Sequence, residues 1–332
     1  MNNINKILIT GITGFVGSHL AEYVLKNKPE VKVLGLVRWR SPKDNIRGIL
    51  NKITLCQGDL TDMSSLEKIL KEEKPDVIFH LAAQSYVDFS FIAPIATLQA
   101  NVIGTANLLE VVRKLKNESG YDPVIHICSS SEVYGQVKEN ETPIREDNPF
   151  RPASPYAVSK VAEDMLGLQY WLSWKIKTIR TRMFTHTGER RGEFFAESAF
   201  AKQIAEIEAG IVPPVVKVGN LNSIRTFLDV KDAVKAYWLL VTKCQSGEVY
   251  NIGGKETMTV EEMLSKLIKL STVKDIKVEV DPKRLRPSDV TLQIPNIDKF
   301  KAETLWEPEI SFDQTLQDLL NYWRKYYATN SK

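Results

Sequence analysis

The chain has little that could cross-link it or hold a metal. Of its 332 residues three are cysteine, and Cys56, Cys128 and Cys244 are widely separated and odd in number, which excludes a disulfide framework and a zinc knuckle. Its four histidines show no metal-ligand spacing. Charge of one sign is scarce too: 44 basic against 41 acidic residues leave a net +3, interspersed along the chain, so nucleic acid is not an expected partner. Apolar runs are short. The longest, around Val77 to Ala83, is interrupted by His80 and ends at Gln84, so no membrane span is expected. The opening MNNINKILITG enters an apolar run that ends in glycine, without the cleavage pattern of a secretory leader, and a cytoplasmic location is expected.

Core-forming material is ample, with 43% hydrophobic and 26% charged residues. At about 150 residues per domain the length allows roughly two domains. In the first half, β-branched runs at Lys6–Thr10, Lys32–Val37, Ile53–Gln57, Val77–Leu81, Val124–Ser129 and Lys177–Met183 alternate with helical patterns over Val16–Lys26, Met63–Lys71, Ala93–Leu115 and Pro155–Trp174. The runs lack in/out alternation, as strands covered on both faces do. The fold class expected is α/β: a Rossmann-type doubly wound parallel sheet over residues 1–184, with a smaller mixed α/β substrate lobe over 185–332 that returns elements to the sheet. In that lobe a helix near Ser198–Ala209 and a strand at Val215–Val218 are legible.

The segment ILITGITGFVGSHLAEYVL places Gly11, Gly14 and Gly17 between a strand and an amphipathic helix. One glycine allows the tight turn, one admits a pyrophosphate to the backbone, and one packs helix on strand, so a dinucleotide can sit at the helix N-terminus against Phe15 and Val16. After the second strand comes VRWRS: Arg38 and Arg40 stand where an NAD site would carry an acid for the ribose diol. Paired guanidinium groups suit a 2′-phosphate, and NADP is expected over NAD. Asp59 and Leu60, after the third strand, border the adenine.

In SPYAVSK, Tyr156 and Lys160 lie four apart on a helix and share a face. A nearby ammonium favours phenolate, so this pair can exchange a proton with a sugar hydroxyl during hydride transfer. The strand end ICSSSEVYG adds Ser130 and Glu132. Alone, without the glycine motif and the Tyr/Lys pair, that polar cluster reads as a cap or turn.

Together TGITGFVGSHL, the GDL at Gly58–Leu60, HLAAQS at His80–Ser85, NVIGTANLLE at Asn101–Glu110, SSSEVYG and YAVSK resemble the extended short-chain dehydrogenase/reductase family, in particular its nucleotide-sugar-modifying members. The loop HTGERRGEFF at His186–Phe195 is similar to that of GDP-sugar 4,6-dehydratases, whereas FLDV resembles the 4-ketosugar reductases. The resemblance implies an NADP-dependent dehydratase acting on GDP-mannose or a close relative. The reductase is second and an epimerase third; a non-catalytic dinucleotide sensor is a reading of a different class. It further implies that Ser130, Tyr156 and Lys160 serve hydride transfer, with serine where the dehydratases have threonine, and that Glu132 is the acid/base carboxylate. Leu81, Ala82, Ala83 and Arg191 fall at cofactor positions; Ser85, Thr185, Arg225, Arg286 and Asp289 fall at substrate positions. Thr185 departs from the family's asparagine. Helices Ala93–Leu115 and Pro155–Trp174 resemble the seam of related homodimers, and a homotetramer is possible if the Arg38–Ser41 loop crosses to a neighbour.

Overall fold

Strands apolar on both faces must be buried between helices, and the first half of the chain does this in order. The structure, a computed structural model, describes residues 4–330. Its first half runs β1 (Lys6–Thr10), α1 (Phe15–Asn27), β2 (Lys32–Val37), β3 (Thr54–Gln57), α2 (Met63–Glu73), β4 (Val77–His80), α3 (Val87–Ile92), α4 (Pro94–Leu98), α5 (Gly104–Ser119), β5 (Val124–Ser130), α6 (Pro155–Trp174) and β6 (Thr178–Met183). The second half adds β7 (His186–Thr187), α7 (Ala196–Glu208), β8 (Val215–Val218), β9 (Ile224–Asp229), α8 (Val230–Lys243), β10 (Val249–Ile252), β11 (Glu256–Thr259), α9 (Val260–Lys269), β12 (Lys277–Val280), β13 (Leu292–Gln293), α10 (Asp298–Thr304) and α11 (Phe312–Asn330).

Seven strands form one sheet in the order β3-β2-β1-β4-β5-β6-β10, and every pairing in it is parallel. The order reverses direction between β1 and β4, which opens a ligand crevice at their carboxyl ends. One face is covered by α1 and α8, burying Leu20, Val24, Val234 and Tyr237 against Ile7, Ile9 and Phe79. The other is covered by α2, α5 and α6, burying Leu66, Leu108 and Val112 against Leu8, Ile78 and Ile125. β10 and α8 come from the second half and complete this sheet layer. A separate core joins α7, α9 and α11 through Phe200, Ile204, Met263, Leu267, Leu316 and Leu320. Around it lie the sheet β11-β9-β13, with β7 on β9, and the pair β12-β8.

Two expectations need correction. The fourth strand stops at His80, because the N–H of Leu81 turns to the Thr10 hydroxyl at 3.1 Å instead of continuing the ladder. Ala93–Leu115 is not one uniform α-helix: a π-helical turn at Gln99–Ile103 separates α4 from α5. In that turn Asn101 is fully buried, donating to Ser159 Oγ at 2.8 Å and to the Gln84 carbonyl at 3.0 Å, while its own amide oxygen accepts from the Gln84 N–H at 2.7 Å. A single-turn π segment of this kind accommodates a side chain that must point where α-helical phase would not put it. The helical stretch Pro94–Ser119 has the length and composition of a membrane-crossing helix, a test that core helices also pass. Its polar residues hide this in a run-length reading; here it lies in the helical layer, with α5 packed on α2 and α6.

Candidate active site

At the nucleotide end, Gly11 has φ +74°, and a Cβ there would meet the Ala82 backbone at 3.0 Å. A Cβ on Gly17 would lie 2.2 Å from the Gly11 carbonyl oxygen, so only glycine lets α1 approach β1 this closely. The Gly14 N–H donates to Gly11 O at 2.9 Å, closing the turn. Gly14 caps α1 without a side-chain acceptor, which leaves the helix N-terminus open to an anion. The Thr10 hydroxyl accepts from the N–H groups of both Leu81 and Ala82 at 3.1 Å and donates to His80 Nδ1 at 3.0 Å. Burial holds His80 neutral, its pKa lowered to about 3, and its Nε2–H donates to Thr105 at 2.9 Å. Thr10 thus pins the ends of β1 and β4 on either side of the crevice.

One cavity of about 940 Å³ follows that crevice from the glycine turn to the second lobe. Of the sequence-predicted cofactor residues, Gly11, Gly14, Phe15, Val16, Gly17, Arg38, Asp59, Leu60, Leu81, Ala82, Ala83 and Arg191 all line it. Arg40 does not: its guanidinium lies 4.3 Å from the ring centroid of Trp39, itself exposed. Ser41 takes its place on the wall, accepting from the Arg38 N–H at 3.1 Å. Asp59 accepts from both the N–H and hydroxyl of Thr61, so it holds the turn beside the cavity. Arg191 is the least expected member. Its guanidinium lies 3.5 Å from the centroid of Phe195 and 5.1 Å from that of Phe15, and the buried Nε has no hydrogen-bond partner among the described residues. A half-buried cation with an unpartnered Nε, beside a glycine turn that a Cβ would fill, is the chemistry a dinucleotide diphosphate requires.

At the carboxyl end of β5, Ser154 caps α6 by accepting from the Ala157 N–H at 3.0 Å, and Pro155 occupies the first helical turn. This fixes the phase that turns Tyr156 and Lys160 into the cavity. Lys160 Nζ donates to the Cys128 carbonyl and to Glu163 Oε2, each at 2.9 Å. The Tyr156 phenol is pushed up mainly by burial; the Lys160 ammonium and a hydrogen bond with Ser130 pull it back. Ser130 also accepts from the Glu132 N–H at 3.2 Å, capping a short 3₁₀ turn. That turn aims Glu132 into the same cavity. Burial raises the Glu132 carboxyl, Arg225 and Arg286 oppose the shift, and Asp289 adds to it.

The substrate-side residues Ser85, Thr185, Arg225, Arg286 and Asp289 also line this cavity. Both arginines already face carboxylates. Arg225 Nη1 is 3.9 Å from Glu132 and Nη2 is 3.6 Å from Asp289, while Arg286 Nε donates to Asp88 on α3 at 2.5 Å. Arg286 therefore ties the second lobe to the first across the cavity mouth, where Tyr86 and Phe194 also meet at 5.1 Å between ring centroids. Sequence reading missed Ser41, Asp88 and His186, whose buried Nε2 has no partner among the described residues. Nothing in local sequence marks them: Asp88 meets Arg286 only through the tertiary fold, and the fold of their loops brings Ser41 and His186 to the cavity wall.

The model of the family described as GDP-mannose 4,6 dehydratase matches residues 8–319. The chain belongs to this family. Within and around the GDP-mannose 4,6 dehydratase family, the chain is 31% identical to a GDP-mannose 4,6-dehydratase of Yersinia enterocolitica, over 96% of this chain and 93% of that one. It is equally 31% identical to a GDP-6-deoxy-D-mannose reductase of Pseudomonas aeruginosa, over 96% and 97%. The solved structure of RMD from Pseudomonas aeruginosa complexed with NADPH superposes with a TM-score of 0.83 at 30% identity, over 97% of this chain and 99% of that one. A dTDP-glucose 4,6-dehydratase of Bacillus anthracis in complex with NAD gives 0.82 at 27%, over 97% of both chains. The Rossmann-type sheet and the extended short-chain dehydrogenase/reductase architecture expected from the motifs are thus borne out.

Proposed function

We propose that the protein is a nucleotide-sugar 4,6-dehydratase that converts GDP-mannose or a close relative to its 4-keto-6-deoxy product. One observation carries this reading: Glu132, a half-buried carboxylate with a raised pKa, opens into the same cavity as Tyr156, Lys160 and Ser130. A ketosugar reductase needs a proton donor and a hydride; water loss needs a second acid/base group, and Glu132 is that group.

The residues divide the work as follows. Tyr156, steered toward phenolate by Lys160 and held by Ser130, takes the C4 hydroxyl proton. A nicotinamide dinucleotide, when bound, supplies the centre that takes the C4 hydrogen and returns it at C6, so no reduced cofactor is consumed. The new C4 ketone acidifies C5–H; Glu132 removes that proton and passes it to the departing C6 hydroxyl, which leaves as water. Return of the hydrogen at C6 leaves an enolate that takes a proton at C5, the equivalent of the one Tyr156 took from the C4 hydroxyl, so Tyr156 is ready to act as base again and the product stays a ketone.

Arg191 and the glycine turn hold the cofactor diphosphate. NADP is favoured over NAD because Arg38 and Ser41, with no carboxylate between them, occupy the wall after β2. Ser85 and Thr185 contact the sugar; Arg225, Arg286 and Asp289 organise the GDP diphosphate, and residues 185–332 serve mainly the nucleotide sugar. Exposed Ile92, Ile95, Ile103, Val158, Leu172 and Trp174 on α3 through α6 support a homodimer built on these helices. Three free cysteines accord with the cytoplasm.

The test is incubation of the purified protein with GDP-, UDP- and CDP-sugars, following product mass and cofactor redox state together. A product lighter by one water with no net reduced cofactor is expected from the GDP-sugar. Consumption of one reduced cofactor per ketosugar, without water loss, selects the reductase instead.

A further inference from the structure

Lys160 does not face Tyr156 alone. Glu163, one turn further along α6, is 1% exposed and accepts from Lys160 Nζ at 2.9 Å through Oε2, while its Oε1 has no hydrogen-bond partner among the described residues. Lys160 Nζ lies 5.9 Å from the centroid of the Tyr156 ring, so phenol, ammonium and carboxylate form one buried cluster. Packing does not require a carboxylate here: burying an ion pair is often no better than burying apolar groups of the same size, and a half-satisfied carboxylate is worse. The neighbouring groups are otherwise committed. Asp164 is held by Arg180 at 2.7 Å and Arg182 at 2.8 Å, both from β6. His80 on β4 and His126 on β5 are buried and neutral. Cys128 on β5 meets the Tyr237 hydroxyl, at 3.2 Å.

We propose that Glu163 is a positioning residue of the hydride-transfer site, holding the Lys160 ammonium and setting how readily Tyr156 releases its proton. This deepens the function proposed above and rests on its hydride-transfer half. With Glu163 charged, the cluster is neutral when Tyr156 is a phenol and gains an unbalanced negative charge when it becomes a phenolate. With Glu163 neutral, the ammonium stabilises the phenolate unopposed. The carboxyl is raised by burial to about 7, so its charge changes near neutral pH and the two acids titrate as a coupled pair.

The experiment is the pH profile of kcat/KM for hydride transfer in Glu163→Gln and Glu163→Asp, with folding checked by thermal denaturation. Hydride transfer is common to the dehydratase and the reductase, so failure here is separable from failure of the dehydratase reading, which product mass decides. Glu163→Gln is expected to move the rising limb to lower pH by about one unit, giving up to about tenfold faster transfer above pH 7, where the parent's Glu163 is charged, while the two enzymes converge below it; Glu163→Asp restores the limb toward the parent. A folded Glu163→Gln with an unmoved limb overturns the proposal, whatever its rate. If the variant does not fold, NMR titration of the parent with ring-labelled tyrosine decides: the Tyr156 signal must show an inflection as Glu163 loses its proton, and a single high-pH step overturns it.

Discussion

Glu132→Gln keeps the shape of the side chain and removes its charge and basicity. In the parent, Glu132 is 3.9 Å from Arg225 Nη1, and at an effective dielectric near 20 a charge pair at about 4 Å is worth about 4 kcal/mol before desolvation is subtracted. Loss of the charge therefore frees Arg225 for an anionic ligand, and binding of the GDP-sugar is expected to hold or tighten. Loss of the base acts on the later step: a positioned general base contributes about 10²- to 10⁴-fold, so water elimination should fall by that factor. Tyr156, Lys160 and Ser130 are untouched, so oxidation at C4 persists and reduced cofactor accumulates on the protein. The assay is rapid mixing with the sugar in deuterated water, reading cofactor absorbance, deuterium at C5 and product mass. Dehydration within about threefold of the parent, with C5 exchange intact, refutes the assignment of the base.

Two further outcomes follow from the same geometry. Arg38→Ala should weaken NADP much more than NAD, because its guanidinium lines the cavity while Arg40 stacks on Trp39; equal weakening of both, measured by fluorescence titration, contradicts a 2′-phosphate contact. All four histidines, His19, His80, His126 and His186, are lowered by burial to about 3. The unfolded chain therefore binds more protons below about pH 6.5, and stability falls as pH drops from there toward 3, by about 2 kcal/mol per histidine at pH 5. A thermal midpoint that does not change between pH 7 and pH 5 contradicts this.

The sheet layer was readable because its strands are buried on both faces and so carry continuous apolar runs, and because the glycine turn permits no substitute at Gly11 and Gly17. The catalytic helix was readable for a similar reason: Tyr156 and Lys160 repeat at helical spacing behind a Ser-Pro start. Glu163 was equally open to view, three residues from Lys160 on the same face, but a carboxylate on a helix ordinarily reads as a solvated one. The π turn at Asn101 was hidden, since its cause is the Gln84 loop and Ser159, both distant in sequence. Arg40 fell away because adjacent residues after a strand diverge, and Arg225 gained a second partner because Glu132 arrives from a different strand. The second lobe was the least legible: its core is assembled from α7, α9 and α11, separated by long stretches of chain.

The central claim is that one cavity oxidises, dehydrates and reduces a single sugar. It is tested most directly with a GDP-sugar carrying deuterium at C4. The account predicts that the label appears at C6 of the 4-keto-6-deoxy product of the same molecule, with the cofactor pool unlabelled and its redox state unchanged. Deuterium released to the free cofactor, or retained at C4 of the product, would contradict it.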